Sequence, residues 1–470
     1  MLIKKIVLFL LLNLFISCSS GGNEDSDIIV NNKNNPPIAQ NINVASDGST
    51  VNIKLQATDP DNDNLTFSIV SGPSKGTILL SSDLVTYTPN IDAYNSDSFI
   101  YVANDGQLDS NLATVYISLP EIPTESDSTF KQLVNENYNN SSFVFGATLN
   151  YYQLNSNVEE LFLREFDYTT PENSFKQSIV HPEPDEWNWG RVDAFLNFAN
   201  NNNIKIRVHG PIGPQSSTWA KTDNRTKDEL SELYEEFLIE LCKKIANNSN
   251  VLWMDVVNET ISTNGNWTAE RSGTNLWENP WTQIGKNEDG IPLYIIKAFE
   301  IADQYTNGIS LVFNQHGGMQ PRMWNKVKET IIYLKNMGLR IDGLGWQAHL
   351  KDDEVLSLNQ NRLNYLLSII DWAHQNDLDF HITEIDYRMT SNPPSTSDYG
   401  RQANGYTNIL KALISKRENG VVTFNTWGIK DKDEPSSHEY RYLYDSNLNP
   451  KTAVDSLKKA LKNKEVNFNF

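Results

Sequence analysis

Cysteine is almost missing from this chain. Cys18 and Cys242 are the two among 470 residues, which excludes a disulfide framework. Cys242 lies on the apolar stripe of EFLIELCKKIA and reads as a small buried hydrophobe. Positive charge is also scarce, with 39 Lys and Arg against 59 Asp and Glu and a formal net charge of −20. A surface of that sign repels phosphates, which argues against a nucleic-acid partner. No glycine-rich loop follows any strand-like run, so a nucleotide site has no support and no cofactor is expected. Hydrophobic residues at 39% and charged residues at 21% describe an ordinary globular protein, and the length suits two or three domains. The 11 Trp suit core filling and stacking on sugar faces equally well.

Residues 1–17 carry Lys4 and Lys5, then the apolar run IVLFLLLNLFI, then Ser17. A short positive segment before a short apolar one is an export signal, and the run is too short to span a bilayer. Its Ser-Cys ending resembles a bacterial lipobox, which implies cleavage before Cys18 and lipidation of that cysteine; a plain secretory signal is the alternative. Residues 18–36 are a polar tether, whose acidic cluster resembles the surface-export signals of Bacteroidetes lipoproteins. The expectation is a monomeric, exported lipoprotein at the outer membrane, facing the cell surface and touching the membrane only through Cys18.

Residues 37–120 read as short strands between turn clusters, an all-β sandwich, and 121–129 as a linker. The pattern DPDNDNLTFSIV…YTPN…DSFIYVANDG resembles cadherin-like, immunoglobulin-fold modules. Asp59, Asp61, Asp63 and Asp105 offer oxygen ligands for Ca²⁺; the other reading makes them acidic turn residues.

From residue 130 to 470, strand-like runs alternate with amphipathic segments. The runs are 143–149, 163–170, 204–210, 251–259, 309–315, 341–350, 378–386 and 421–428. Eight strand–helix units predict a (β/α)8 barrel, with an open doubly wound sheet as competitor. Barrel sites form at the C-terminal strand ends. Those ends deliver Asn258 and Glu259, Glu384 and Asp386, His209, Gln347 and His349, Trp427, and, beyond strand 2, Glu172, Asn173 and Lys176. Two glutamates facing across a polar cleft are what glycosidic bond cleavage requires.

WMDVVNE, HITEID, GLGWQAHL, TTPENSFK and the early FGAT together resemble the strand motifs of family-ten glycoside hydrolases, the endo-β-1,4-xylanases, over about 135–465. The resemblance implies that Glu259 is the general acid/base and Glu384 the nucleophile of a retaining double displacement on a polysaccharide. It implies that Asn258 bonds the sugar 2-hydroxyl, and that His349, with Asp386, orients Glu384. Gln347 is expected to support the nucleophile. Glu172, Asn173, Lys176 and His209 are expected on the non-reducing-side sugars, and Trp427 under the sugar at the cleavage point. The chain departs from the family pattern in four places. Gly213 stands where a sugar-contacting Trp is expected, Gln177 replaces a Trp, and Asn314-Gln315-His316 replaces Asn-Asp-Tyr. The loop after Trp427 lacks a second Trp. These changes predict an altered sugar pocket and a decorated or mixed-linkage xylan as substrate. The strand 4 loop, with Trp267, Trp277 and Trp281, is expected to reshape the cleft.

Overall fold

The computed structural model describes residues 34–46, 49–90, 93, 96–119, 128–138, 142–217, 219–220, 225–268, 279–351, 359–432 and 439–468. Cys18, the export segment and most of the tether lie outside them, as do most of the linker and Trp277. The chain falls into two compact units, one of strands before Ser118 and one from Leu119 onward.

The first unit pairs short strands into a four-stranded and a three-stranded sheet. Alternating residues such as Val85, Tyr87, Phe99, Tyr101, Val115 and Ile117 are buried, as the period of two requires. The acidic residues act as turn residues. Asp59 Oδ1 accepts the backbone N–H groups of Asp61 and Asp63 at 2.8 and 3.0 Å, and Asp61 accepts the Asn35 N–H at 2.7 Å. Among the described residues no group of three or more acidic, His or Cys side chains gathers where a metal ion would sit. Of the two readings of these acidic residues, the hydrogen bonds at Asp59 are those of an Asx-type turn.

The second unit is a parallel barrel. Its strands are β1 (Phe143–Ala147), β2 (Tyr168–Thr169), β3 (Lys205–Val208), β4 (Val251–Asn258), β5 (Ser310–Gln315), β6 (Gly343–Trp346), β7 (Asp379–Arg388) and β8 (Val422–Thr426). Neighbours pair in sequence order from β2 to β8, and β8 returns to β1. Between β1 and β2 a single bridge, Leu149 to Pro171, and the Thr169 hydroxyl donating to the Ala147 carbonyl at 2.8 Å complete the ring. The start of the predicted second strand is helix instead. Ser156 caps Asn157–Glu165, and Val158, Leu161, Phe162 and Glu165 bury one face, so 163–165 belong to the helix and β2 keeps two residues. The predicted sixth strand also breaks after Trp346: Ala348 takes φ +58°, and His349–Lys351 forms a separate short strand against the end of β7. Thr396–Lys416 is a long helix despite Gly400 and Gly405. A Cβ on Gly405 would lie 2.5 Å from the Tyr387 ring, so close packing against β7 requires the glycine.

At the opposite end of β7 from Arg388, burial and the neighbouring Asp342 push Asp379 up to about 6. A carboxyl raised above its unfolded value destabilises the fold above about pH 6, and the penalty fades as pH falls toward 4. Asp379→Asn should therefore stabilise the barrel at pH 7 by on the order of 1 kcal/mol after solvent screening. The gain should vanish near pH 4. Thermal melts at both pH values check this; a gain of equal size at both, or none at pH 7, would contradict it.

Candidate active site

Both glutamates sit beside strand irregularities. The pairing of β4 with β5 slips between Asp255 and Val257, and that of β7 with β8 slips between Ile382 and Ile385. A bulge re-aims the side chains that follow it. After the β4 bulge, Asn258 faces Asn314 of β5: its Oδ1 accepts the Asn314 Nδ2–H at 2.9 Å. Within the β7 irregularity, Thr383 and Glu384 both reach Asn314, at 2.9 and 3.1 Å. Glu259 takes a left-handed φ of +57°, an uncommon conformation for a side-chain-bearing residue. Its N–H donates to the Asn314 carbonyl at 3.2 Å and its carbonyl accepts the Thr268 hydroxyl at 2.5 Å.

Glu384 is buried among cations and donors. Its Oε2 lies 3.3 Å from His349 Nε2, and His349 Nδ1 lies 3.0 Å from Asp386 Oδ1. Arg441 Nη1 stands 3.2 Å from the other Asp386 oxygen. Burial opposes a charge on His349, but Asp386 and then Glu384 outweigh it and push the imidazole up to about 10. His349 is thus an imidazolium that donates to both carboxylates. Burial likewise opposes ionisation of Glu384, yet His209, His349 and Lys176 together hold it below the ordinary carboxylate range. Below the barrel mouth, Arg207 donates from Nε to the Tyr168 hydroxyl at 2.7 Å and from Nη1 to Asp255 at 2.6 Å. Asp255 in turn meets His209 Nδ1 at 2.9 Å, which leaves His209 Nε2 3.6 Å from Glu384 Oε1.

Glu259 has different company. Gln347 Nε2 donates to its Oε1 at 2.8 Å and to Asn258 Oδ1 at 3.2 Å, and Asn258 Nδ2 donates to the same Oε1 at 3.3 Å. Gln347 therefore supports Glu259; the expectation that it supports Glu384 is corrected. Asn314 fills that place. The left-handed Ala348 explains the change, because it separates Gln347 from the His349 strand that runs along β7.

Lys176 is buried and donates to Gln215 at 2.6 Å. Burial holds its ammonium below the ordinary lysine value, with Glu384, Glu259 and Glu172 acting the other way. Asn173 is half-buried in the turn before it, its carbonyl accepting the Lys176 N–H at 3.2 Å. Glu172 lies farther out, paired with the Asn150 amide. With Asn150, Tyr152, Trp427, Lys430 and Tyr442 it lines a cavity of about 540 Å³. The Trp427 ring stands edge-on to His209 and His349, at 5.1 and 6.3 Å between centroids.

The departures from the family pattern acquire physical reasons here. A Cβ on Gly213 would lie 3.1 Å from the Asn258 carbonyl, so this loop packs closely on Asn258. Gly428 packs on the Tyr442 ring, 2.8 Å from where its Cβ would be. Tyr442 thus supplies an aromatic wall beside Trp427 that sequence reading judged missing. Trp281 does not reshape the cleft; it is fully buried against Trp219 and Tyr234, its Nε1–H donating to Ser216 at 2.9 Å. Trp267 is half-buried and donates to the Gly290 carbonyl at 3.1 Å. Both anchor the described flanks of the loop, 260–268 and 279–285. Asp255, Asn314, Tyr442 and Arg441 went unassigned by sequence reading. Asp255 had a signal, lying in the same WMDVVNE strand as Glu259; Tyr442 and Arg441, beyond the last strand, had none.

The family model for glycosyl hydrolase family 10 matches residues 134–460, and one for a bacterial Ig domain matches 34–118. An endo-1,4-beta-xylanase/feruloyl esterase of Xylanibacter ruminicola is 26% identical over 316 residues, covering 62% of this chain but 42% of the relative. Endo-1,4-beta-xylanase A of Caldicellulosiruptor saccharolyticus is 26% identical over 325 residues, covering 66% and 91%. The crystal structure of native xylanase 10B from Thermotoga maritima superposes with a TM-score of 0.61 at 23% identity, over 72% of this chain and 99% of that one. At that identity the superposition establishes the shared barrel fold. Because the match at 134–460 takes in most of the sequence, and the barrel carries one glutamate directly after β4 and another within β7, the chain belongs to glycosyl hydrolase family 10 and is a glycoside hydrolase.

Proposed function

We propose that this protein is a retaining endo-β-1,4-xylanase. The observation that carries the reading is the asymmetry of the two carboxyl groups. Glu384 is buried, anionic and fixed from three sides, as a nucleophile must be. Glu259 is partly exposed, 15% against 3% for Glu384, and contacts amides rather than a fixed cation, as a group that must hold and release a proton needs. In the first step Glu384 attacks the anomeric carbon, the bond to the leaving oxygen breaks, and Glu259 gives that oxygen its proton. In the second, Glu259 takes a proton from water, whose oxygen displaces Glu384 with a second inversion. His349 and His209 keep Glu384 ionised and oriented. Asn258, locked by Asn314 and Gln347, offers its amide to the 2-hydroxyl beside the anomeric carbon. Lys176, Asn173 and Glu172 meet the non-reducing-side sugars, with Trp427 as stacking surface.

Gln177, buried and bonded to His181 and Ser217, stands where the family pattern has a tryptophan, and this lost aromatic supports a decorated or mixed-linkage xylan. We expect kcat/KM on decorated xylan to exceed that on linear xylohexaose about fivefold, since one lost aromatic wall is worth about 1 kcal/mol. Kinetics on a matched pair of substrates test this; xylohexaose as the better substrate would reject the preference and leave the xylanase reading intact. Export and lipidation at Cys18 belong to the same proposal, as does a monomeric state. Fatty-acid labelling of the wild type but not of Cys18→Ser would support the anchor, and labelling of both would reject it.

A further inference from the structure

His316 follows β5 directly, and its Nδ1 lies 3.8 Å from Glu259 Oε2. The family pattern places a tyrosine there. Glu259's other oxygen is taken up by Gln347 and Asn258, so His316 faces the oxygen that they leave to the cleft. The backbone that carries the imidazole is anchored at both neighbours. Gln315 beside it is buried and bonded to Ile261 through both amide atoms, its Nε2 donating at 2.5 Å and its Oε1 accepting at 3.3 Å. On the other side Gly317 takes φ +86°, and its carbonyl accepts the Trp346 indole N–H at 2.7 Å. Two such anchors around one residue pre-organise its side chain.

The geometry points to His316 as a positioning residue for the acid/base: a neutral imidazole that accepts the Glu259 carboxyl proton as a hydrogen bond and keeps that carboxyl loaded until the leaving oxygen takes it. This rests on the reading of Glu259 as acid/base. The charged and titratable groups acting on His316 are Glu259 from β4, His349 from beyond β6 and Glu384 from β7. Burial holds its pKa below the ordinary histidine value; Glu259 and Glu384 pull upward, and the His349 imidazolium pushes down. The ring is therefore neutral near pH 7 and presents a lone pair, which a tyrosine's hydroxyl does much more weakly. Closing from 3.8 Å to a hydrogen bond takes less than about 1 Å, well within a side-chain adjustment on substrate binding.

The sign of the effect separates this role from its alternatives. An acceptor favours the protonated acid, so removing it lets the proton leave earlier. The basic limb of kcat/KM on polymer should move down by about one pH unit in His316→Leu. In His316→Gln, whose amide oxygen also accepts, the limb should recover at least half of that shift. Aryl glycosides with good leaving groups, which need no proton in the first step, should show no shift in either variant. A limb that moves upward would mean that His316 acts as a cation on Glu259, and an unmoved limb that it only shapes the cleft; either overturns the inference. A Glu259→Ala variant measured alongside, if it lost polymer and aryl glycoside equally, would instead reject the acid/base reading itself.

Discussion

Glu384→Ala should lose about 10⁴-fold or more of kcat on polymer and aryl glycoside alike, because no leaving group, however good, replaces an absent nucleophile. The difficulty is folding rather than chemistry. Glu384 is buried against His349, with His209 Nε2 3.6 Å away, and deleting it strands an imidazolium in a site of low dielectric. Glu384→Gln is the better probe, since its amide oxygen can still accept from Asn314 and His349 while its nucleophilicity is gone. We expect the Gln variant to match the Ala variant in kcat while melting closer to wild type. Activity within tenfold of wild type, on either substrate and in a protein with an intact melting profile, would remove Glu384 from the mechanism.

The site was legible in the sequence wherever the chemistry sits on a strand end, and illegible where backbone irregularity decides the direction of a side chain. A period of two along WMDVVNE puts Trp253, Asp255, Val257 and Glu259 on one face. The bulge at Val256 turns Asn258 toward Asn314 instead, and no residue type in that segment announces it. The same holds for Gln347: the left-handed Ala348 hands it to Glu259, although the family resemblance implied Glu384. Strand 2 failed for another reason. LREF carries both apolar alternation and helical spacing, and the Ser156 cap, seven residues before Leu163, decides for the helix. Gly213 was legible as a change of side chain, while its close approach to the Asn258 carbonyl shows only in the structure. Tyr442 could not have been placed at all, since its partner Gly428 lies across a loop whose length fixes nothing about where it returns.

Glu259→Ala should separate substrates by the quality of their leaving group. On polymer the departing oxygen is a sugar alkoxide and must be protonated as the bond breaks, so a loss of about 10²–10⁴-fold is expected. An aryl glycoside with an acidic phenol leaves unaided. Its first step should therefore run near the wild-type rate, giving a burst of phenol about equal to the enzyme present. The second step then stalls, because the same residue must take the proton from water. Azide needs no base. Added azide should restore turnover of the aryl substrate and leave the polymer rate low, with a glycosyl azide of retained configuration as product. This contrast isolates proton transfer from any structural damage, since a distorted cleft would slow both steps and would not respond to azide. The surroundings of Glu259 make distortion modest: its side chain is bonded to Gln347 and Asn258, and Asn258 keeps its bond to Asn314 when Glu259 is truncated. Equal loss on both substrates with no azide response would deny Glu259 the acid/base role. In that case the catalytic proton would have to come from another group at the mouth, of which His316 is the nearest to the same oxygen.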